Sequence, residues 1–234
     1  MRRGLVKAAV PPAVLLAGLG PLLAGCSGSS DGHRTDPRRT LAAAKRHLDD
    51  TSGVRVSLST PTLPTGVDGL LRAEGVGTHA PAFRGTIKVG TQGITADADV
   101  VAVRRRVWAK LPFTVRFVAI DPTDYGAPDP AALLRPRHGL SSLLTAARQV
   151  RAGERVRSGR RVLSSYTGTV PGDAVADVLP SASTTGRFRA TFTVDDRGRL
   201  ARAVLRGPFY PHADDVTYTI GFDHYGTSAT ITAP

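Results

Sequence analysis

The clearest chemistry in this sequence belongs to one side chain, the thiol of Cys26. It follows Leu23, Ala24 and Gly25, and it is the only cysteine in the chain. Small residues directly before a cysteine are typical of the bacterial lipobox, where a peptidase cuts before the cysteine and the thiol carries a thioether-linked diacylglycerol. A lone thiol also excludes an internal disulfide and a cysteine-based metal cluster. We therefore predict lipidation of Cys26; the alternatives are a buried free cysteine and an ordinary signal peptide with a chance cysteine.

The first 25 residues have the order of an export signal. Arg2, Arg3 and Lys7 supply a positive start, and an apolar stretch over residues 5–23 follows it. Prolines and glycines interrupt this stretch, which disfavours a lasting membrane-spanning helix and suits a peptide that is removed. We predict a lipoprotein signal peptide, exported by the general or the twin-arginine route.

Once the signal peptide is removed and Cys26 is lipidated, we expect the protein to be anchored on the extracytoplasmic side of the cell membrane. Two long acyl chains anchor a protein stably, whereas one chain gives marginal binding. After Cys26, residues 27–39 are mostly Ser, Gly, Asp, His, Arg and Pro without apolar periodicity, which predicts a flexible tether over residues 26–39 that starts at the lipidated Cys26.

The mature sequence is basic. Without residues 1–25 it has 28 Lys and Arg against 19 Asp and Glu, a formal charge of +9. Arginines cluster at residues 104–106 and again over residues 148–161. On an anchored, exported protein such charge favours contact with anionic phospholipid or glycolipid headgroups over nucleic acid. The alternative is a solvated surface without a partner.

Side chains that could support catalysis are not arranged for it. The sequence has no glycine-rich phosphate-binding loop. Asp97 and Asp99 share one strand face, but the alternation places them on the polar side, where solvated carboxylates are expected. The histidines lie outside any metalloprotease spacing: His33, His47, His79, His138, His212 and His224. We predict no enzyme activity, no cofactor and no metal site.

The elements that must position any site are mostly strands of one domain over residues 40–234. A helix is predicted over residues 40–50, with Thr40 as its N-cap. Apolar and polar residues then alternate with a period of two, which favours an antiparallel meander with one apolar face. The predicted strands cover residues 54–58, 69–78, 83–89, 94–100 and the segment around Trp108.

The second part of the chain mixes short helices with further strands. Asp129 is predicted to cap a helix that begins at Pro130. The predicted helices cover residues 131–134, 139–150 and 171–179, and the predicted strands cover residues 155–157, 161–170, 186–194, 199–206, 216–222 and 227–232. The sum is an α+β domain in which helices cover the apolar face of a long, mostly antiparallel sheet.

Periodicity leaves open whether those helices pack tightly or leave a hollow. Several inward positions are small, and small residues either permit close packing or leave volume. They are Gly85, Ala96, Ala98, Ala109 and Ala190.

Six segments and the lipobox together resemble the LppX/LprA/LprF/LprG lipoprotein family of mycobacteria and related actinobacteria. The likeness covers nearly the whole mature chain in order, although no single motif is a catalytic fingerprint. The segments are residues 83–90, 94–101, 108–111, 120–122, 128–131 and 136–144.

The resemblance implies a half-barrel sheet that wraps helices, as in the LolA and LolB carriers of Gram-negative bacteria, with an apolar cavity between sheet and helices. It also implies a monomer that binds acylated lipids or glycolipids and moves them across the cell envelope, together with a transporter of the major facilitator type. Residues carried over as cavity lining are Ile87, Val89, Ile94, Ala96, Ala98, Val100, Leu140, Leu143 and Leu144. Alternation adds Val56, Leu58, Phe188, Phe192, Ile220 and Phe222.

Two other functions stay open at this point. For each of these lining residues, plain core packing is the alternative to ligand contact, and a filled core would leave an anchored envelope scaffold without a ligand. A hydrolase is the third possibility, and it requires a nucleophile and a base beside the cavity.

Overall fold

The alternating segments form one antiparallel sheet of 11 strands. The structure, a computed structural model, describes residues 36–91, 93–125 and 127–234. The strands are β1 Gly53–Ser59, β2 Gly69–Thr78, β3 Ala82–Thr91, β4 Ile94–Val103, β5 Arg106–Lys110, β6 Val118–Ile120, β7 Arg148–Ser158, β8 Arg161–Pro171, β9 Arg187–Val194, β10 Leu200–Gly207 and β11 Val216–Asp223.

The sheet consists of two meanders joined at the centre. Its strand order is β6-β5-β4-β3-β2-β1-β11-β10-β9-β8-β7, so β1 pairs with β11 and the edges are β6 and β7. Every paired neighbour is antiparallel. The predicted α+β class, a long antiparallel sheet with a few short helices, is confirmed.

The helix α1, Pro37–Asp49, begins three residues before its predicted start. The carboxylate of Asp36 accepts a hydrogen bond from the backbone N–H of Arg38 at 3.0 Å, so Asp36 is the N-cap in place of Thr40. Pro37 fits the first turn because its missing N–H would have no partner there. Leu41 and Leu48 lie on the buried face of this helix, as their spacing predicts.

The remaining helices are shorter than predicted. They are α2 Ser142–Ala146 and α3 Gly172–Ala176, with 3-10 turns at Pro122–Tyr125 and Pro130–Ala132. The prediction of a helix over residues 139–150 is wrong at its end, because Ala147 is extended and Arg148 already pairs with Thr169 in the sheet. The predicted strand over residues 227–232 is also absent from the described chain. Of the described helices, none is long and apolar enough to cross a membrane.

Two apolar clusters make up the core. The larger one packs α1, α2 and α3 against β1 and β8–β11, and it contains Leu41, Leu143, Phe188 and Phe192 among its most buried side chains. The smaller one lies on β3–β5 beneath the 3-10 turn at Pro130–Ala132. The predicted cap at Asp129 is confirmed, because its carboxylate accepts from the backbone N–H of Ala131 at 2.9 Å.

Candidate functional site

Nine of the residues predicted to line a cavity lie together in the larger core. They are Val56, Leu58, Leu140, Leu143, Leu144, Phe188, Phe192, Ile220 and Phe222, and all of them are buried. The ring of Phe188 meets that of Phe209 edge-on, with 4.8 Å between the ring centres. This part of the sheet, β1 and β8–β11 with the three α-helices, is called the filled half below.

The other six predicted residues lie on β3 and β4, in what we call the open half, β2–β6. Ile87 is directly opposite Ala98, and Val89 is directly opposite Ala96. Residues directly opposite each other in an antiparallel pair point to the same face of the sheet, so these side chains share the inner face. Ile94 and Val100 lie on that face too, because they follow at even spacing along β4.

Two glycines of the open half, Gly75 on β2 and Gly85 on β3, allow close packing and leave no cavity beside them. A Cβ atom on Gly85 would lie 2.2 Å from the backbone oxygen of Glu74. One on Gly75 would lie 2.4 Å from the ring of Phe83. At Gly85, one of the small positions whose packing periodicity leaves open, the structure is therefore close-packed, and the same holds at Gly75 opposite it.

Along β4 the inner face passes from the core into solvent. Ala102 and Val100 are buried, Ala98 is 6% exposed, Ala96 is half-buried and Ile94 is 69% exposed. On β5, Val107 and Ala109 are buried, and Leu111 just beyond the strand is about half exposed. The apolar row is thus continuous, but the cover above it ends part-way along.

A group of exposed apolar side chains follows β5 along the chain. These residues, called the apolar lip, are Leu111, Phe113, Val115 and Val118, and Phe113 and Val115 are almost fully exposed. Phe113 also has a positive φ of 66°, which is uncommon for a bulky residue. A cleft of about 360 Å³ lies beside the lip and is lined by Thr86, Asp97, Ala98, Asp99, Lys110, Leu111, Pro112, Phe113 and Thr114.

The charges near the open half lie on the other side of the sheet. Asp97 and Asp99 alternate with the inner-face residues of β4, and both are exposed, as the sequence predicts. The ammonium group of Lys88 contacts the carboxylate of Asp97 at 2.9 Å. The inner face of β3 and β4 itself therefore carries no charged side chain in the described chain and suits apolar ligand groups.

Tyrosine hydroxyls join the two halves. The hydroxyl of Tyr218 on β11 donates to the backbone oxygen of Leu70 on β2 at 2.8 Å, and it lies 2.7 Å from the hydroxyl of Tyr210. Burial, and then the hydrogen bond with Tyr210, raises the pKa of Tyr218 far above its ordinary value. Tyr218 therefore stays protonated and keeps its donor role.

A second cleft, of about 590 Å³, lies near the turn between β4 and β5. It is lined by Val103, Arg104, Arg106, Trp108, Ile231, Thr232 and Ala233. Neither cleft is lined by a residue of α1, α2 or α3. Within the described part of the chain, no group of three or more His, Asp or Glu side chains could hold a metal ion.

The match to a family model decides the affiliation of the chain. Residues 36–228 match the model of the LppX_LprAFG lipoproteins. The chain belongs to this lipoprotein family. No curated protein sequence matches it.

Solved structures of LppX_LprAFG lipoproteins share this fold. LprF from Mycobacterium bovis superposes with a TM-score of 0.67 at 16% identity, covering 85% of this chain and 96% of that one. LppX from Mycobacterium tuberculosis superposes with a TM-score of 0.61 at 15% identity, covering 85% of this chain and 100% of that one. At such low identity these neighbours show the architecture of this family member.

Three features of the site escaped sequence reasoning, and the lipidation site lies outside the described residues. Phe209 is buried in the larger core, although it lies between two predicted strands and outside both of them. The short strand β6 was not predicted. Of the apolar lip, the alternation predicts only Leu111, as a continuation of the strand around Trp108, and Pro112 is the signal that this strand ends.

Proposed function

We propose that this lipoprotein binds the acyl chains of lipids or glycolipids on the inner face of its open half and carries them across the cell envelope. The proposal rests on the continuous apolar row on β3–β5, which leaves the core and reaches solvent at Ile94 and Leu111. Membership in the LppX_LprAFG family supports the same function by resemblance.

The energetics of carriage favour such a site. A tail of sixteen carbons left in water costs on the order of 13 kcal/mol, at about 0.8 kcal/mol per methylene. An apolar surface that covers the tail offsets this cost, while the polar headgroup stays at the solvent-exposed end. In this proposal Ala96, Val89 and Ile94 contact the outer part of the tail, and Ile87 and Ala98 contact its inner part.

Entry of a whole tail requires the cover to move. The 3-10 turn at Pro130–Ala132 packs Ala131 on the smaller core, and Leu134 approaches Gly77. This turn buries the single side chain of Ala131, whereas α1 buries Leu41, Ala44 and Leu48 along one face. We place the movable cover at this turn and the fixed cover at α1.

Anchoring at Cys26 is part of the same proposal. The signal peptide over residues 1–25 would be removed and the thiol acylated. An extended tether reaches at most about 3.5 Å per residue, so the open half stays within a few tens of ångströms of the bilayer. Delivery from there would involve a membrane transporter, to which a monomer passes its lipid.

Native mass spectrometry tests lipid binding directly. Protein lacking residues 1–26, and therefore free of acyl chains of its own, is mixed with a total lipid extract and separated from unbound lipid. The expected result is one or two acylated lipid molecules per chain, identified after release by their fragment masses. Recovery of unliganded protein at every lipid concentration would overturn the proposal.

A second function has its own supporting observation. The filled half is packed with buried side chains, and both clefts lie away from α1–α3. A ligand-free anchored scaffold would show this same filled core. The mass spectrometry experiment separates the two functions, because a scaffold binds no lipid.

A further inference from the structure

Arginines are concentrated on the outer face of β7–β10, the face away from the helices. Outward-pointing, exposed arginines on these strands include Arg148, Arg151, Arg187, Arg189, Arg202 and Arg206. We call this set the arginine face. Glu154 is the only acidic residue within these four strands. The arginine face is therefore strongly and uniformly positive.

The strand register aligns several of these arginines in one row. Arg148 on β7 is opposite Thr169 on β8, Thr169 is opposite Arg189 on β9, and Arg189 is opposite Arg206 on β10. Neighbouring strands lie about 4.8 Å apart, so the row is an evenly spaced array of guanidinium groups and a hydroxyl. Thr167, Thr191 and Thr193 place further hydroxyls on the same face.

Three cations on the other meander have acidic partners, and none of the six on the arginine face has one in the described part of the chain. Arg55 and Arg72 both contact Glu74, and Lys88 contacts Asp97. For the six arginines, the described residues offer no carboxylate oxygen within 4.0 Å. Their charge is available to a partner from outside the chain.

The arrangement carries a folding cost that an external anion would relieve. Like charges directly opposite each other on a sheet destabilise the pair, and Arg189 and Arg206 stand in that relation. A guanidinium group binds phosphate oxygens through two parallel hydrogen bonds, and threonine hydroxyls can donate a third. The chemistry recognised by this face is therefore a set of phosphates.

We propose that the arginine face binds the phosphates of an anionic lipid bilayer. A row that extends over four strands matches many headgroups at once, as a bilayer surface presents them, better than it matches one small anion. Arginine side chains near an anionic bilayer contribute additively to binding. The face lies on the side of the sheet opposite to the inner-face site, so this binding is independent of cargo.

Vesicle co-sedimentation tests the proposal. Protein lacking residues 1–26 is mixed with vesicles of phosphatidylglycerol and phosphatidylcholine in equal parts, or of phosphatidylcholine alone. We expect binding to the anionic vesicles only, weakened by added salt. The double variant R189Q/R206Q should bind about 25-fold more weakly, at about fivefold per arginine. Its unfolding midpoint should not fall, because the variant removes a repulsive pair.

The matched control removes the same charge elsewhere. Arg72 and Arg84 are exposed on the same outer side of β2 and β3, so R72Q/R84Q has the same net charge as R189Q/R206Q. The control should change vesicle binding by less than about threefold. Equal losses of vesicle binding in both variants would overturn the proposal. So would an unsubstituted protein that does not bind anionic vesicles, whether or not it binds an acidic protein or nucleic acid. Lipid capture measured by mass spectrometry should be unchanged in R189Q/R206Q, so the two proposals fail separately.

Discussion

The filled half and the open half of the sheet have the same period-two pattern but differ in what covers them. α1 covers the filled half with a full helical face, and large side chains such as Phe188 and Phe192 occupy the space beneath. The open half is covered by one 3-10 turn, and its inner face reaches solvent at Ile94. The same alternating pattern therefore forms a core where a helix covers it and an accessible apolar surface where the cover ends.

This difference in cover separates the residues that stabilise the fold from those that are available to a ligand. Dense packing around buried aromatic rings stabilises the filled half, because each such side chain contributes several kcal/mol when it is fully buried. The open half has fewer large side chains, so ligand atoms can replace solvent there without displacing the core. We expect stability and ligand binding to respond to different substitutions.

The largest expected effect is on stability, from truncation in the filled half. Phe188 is fully buried and meets Phe209 edge-on, so F188A leaves a cavity that its neighbours cannot fill. The free energy of unfolding should fall by about 3–5 kcal/mol, measured by urea denaturation. The matched control F113A removes an exposed ring and should change it by less than about 0.5 kcal/mol. Equal losses would contradict the division into halves.

A smaller loss is expected where the halves are joined. In Y218F the backbone oxygen of Leu70 loses its donor and Tyr210 loses its hydroxyl partner. The free energy of unfolding should fall by about 1–3 kcal/mol, because buried polar groups are left unpaired. Y225F is the control of the same chemistry in the filled half, where Tyr225 donates to the backbone oxygen of Leu200 at 2.7 Å. Hydrogen exchange of the β2 backbone amides should become faster in Y218F and stay unchanged in Y225F. Unchanged exchange in Y218F would contradict a link between the halves at Tyr218.

Ligand binding should respond to a substitution in the open half that leaves stability nearly unchanged. A96W places a large ring on the inner face, where Ala96 is half-buried opposite Val89. We expect affinity for a fluorescent phospholipid to fall by at least about tenfold, which is about 1.4 kcal/mol. T95W adds the same ring to the exposed outer face and should leave the affinity unchanged. A decrease that is equal in both variants would remove the basis for placing the ligand here.

The smallest effect is expected at the apolar lip. Phe113 is exposed, so F113S should not alter the unfolding midpoint. It should slow the transfer of lipid from the protein to acceptor vesicles by about fivefold, because part of the transfer free energy of a phenyl ring is lost. Stopped-flow measurement of fluorescence dequenching gives the rate. T114S is the control in the same loop, and an unchanged rate in F113S would show that the lip has no part in transfer.

Local patterns predicted much of this architecture, and non-local contacts decided the rest. The alternation on β3 and β4 gave their pairing faces, and Asp129 gave the start of a turn. The exposure of Ile94 could not be predicted, because it depends on where the cover formed by Pro130–Ala132 ends. The start of β7 could not be predicted either. Gln149 has a positive φ at an irregularity in the pairing of β7 with β8, whereas the apolar residues before it predict a helix that continues to residue 150.

Binding of acyl chains on the inner face of the open half can be mapped residue by residue. Photo-crosslinking with a phospholipid that carries a diazirine near the end of one acyl chain, followed by peptide mapping, tests it most directly. We expect adducts on inner-face residues of β3 and β4, above all Ile87 and Ala98, and their loss in A96W but not in T95W. Adducts confined to the filled half or to the outer face of the sheet would contradict it.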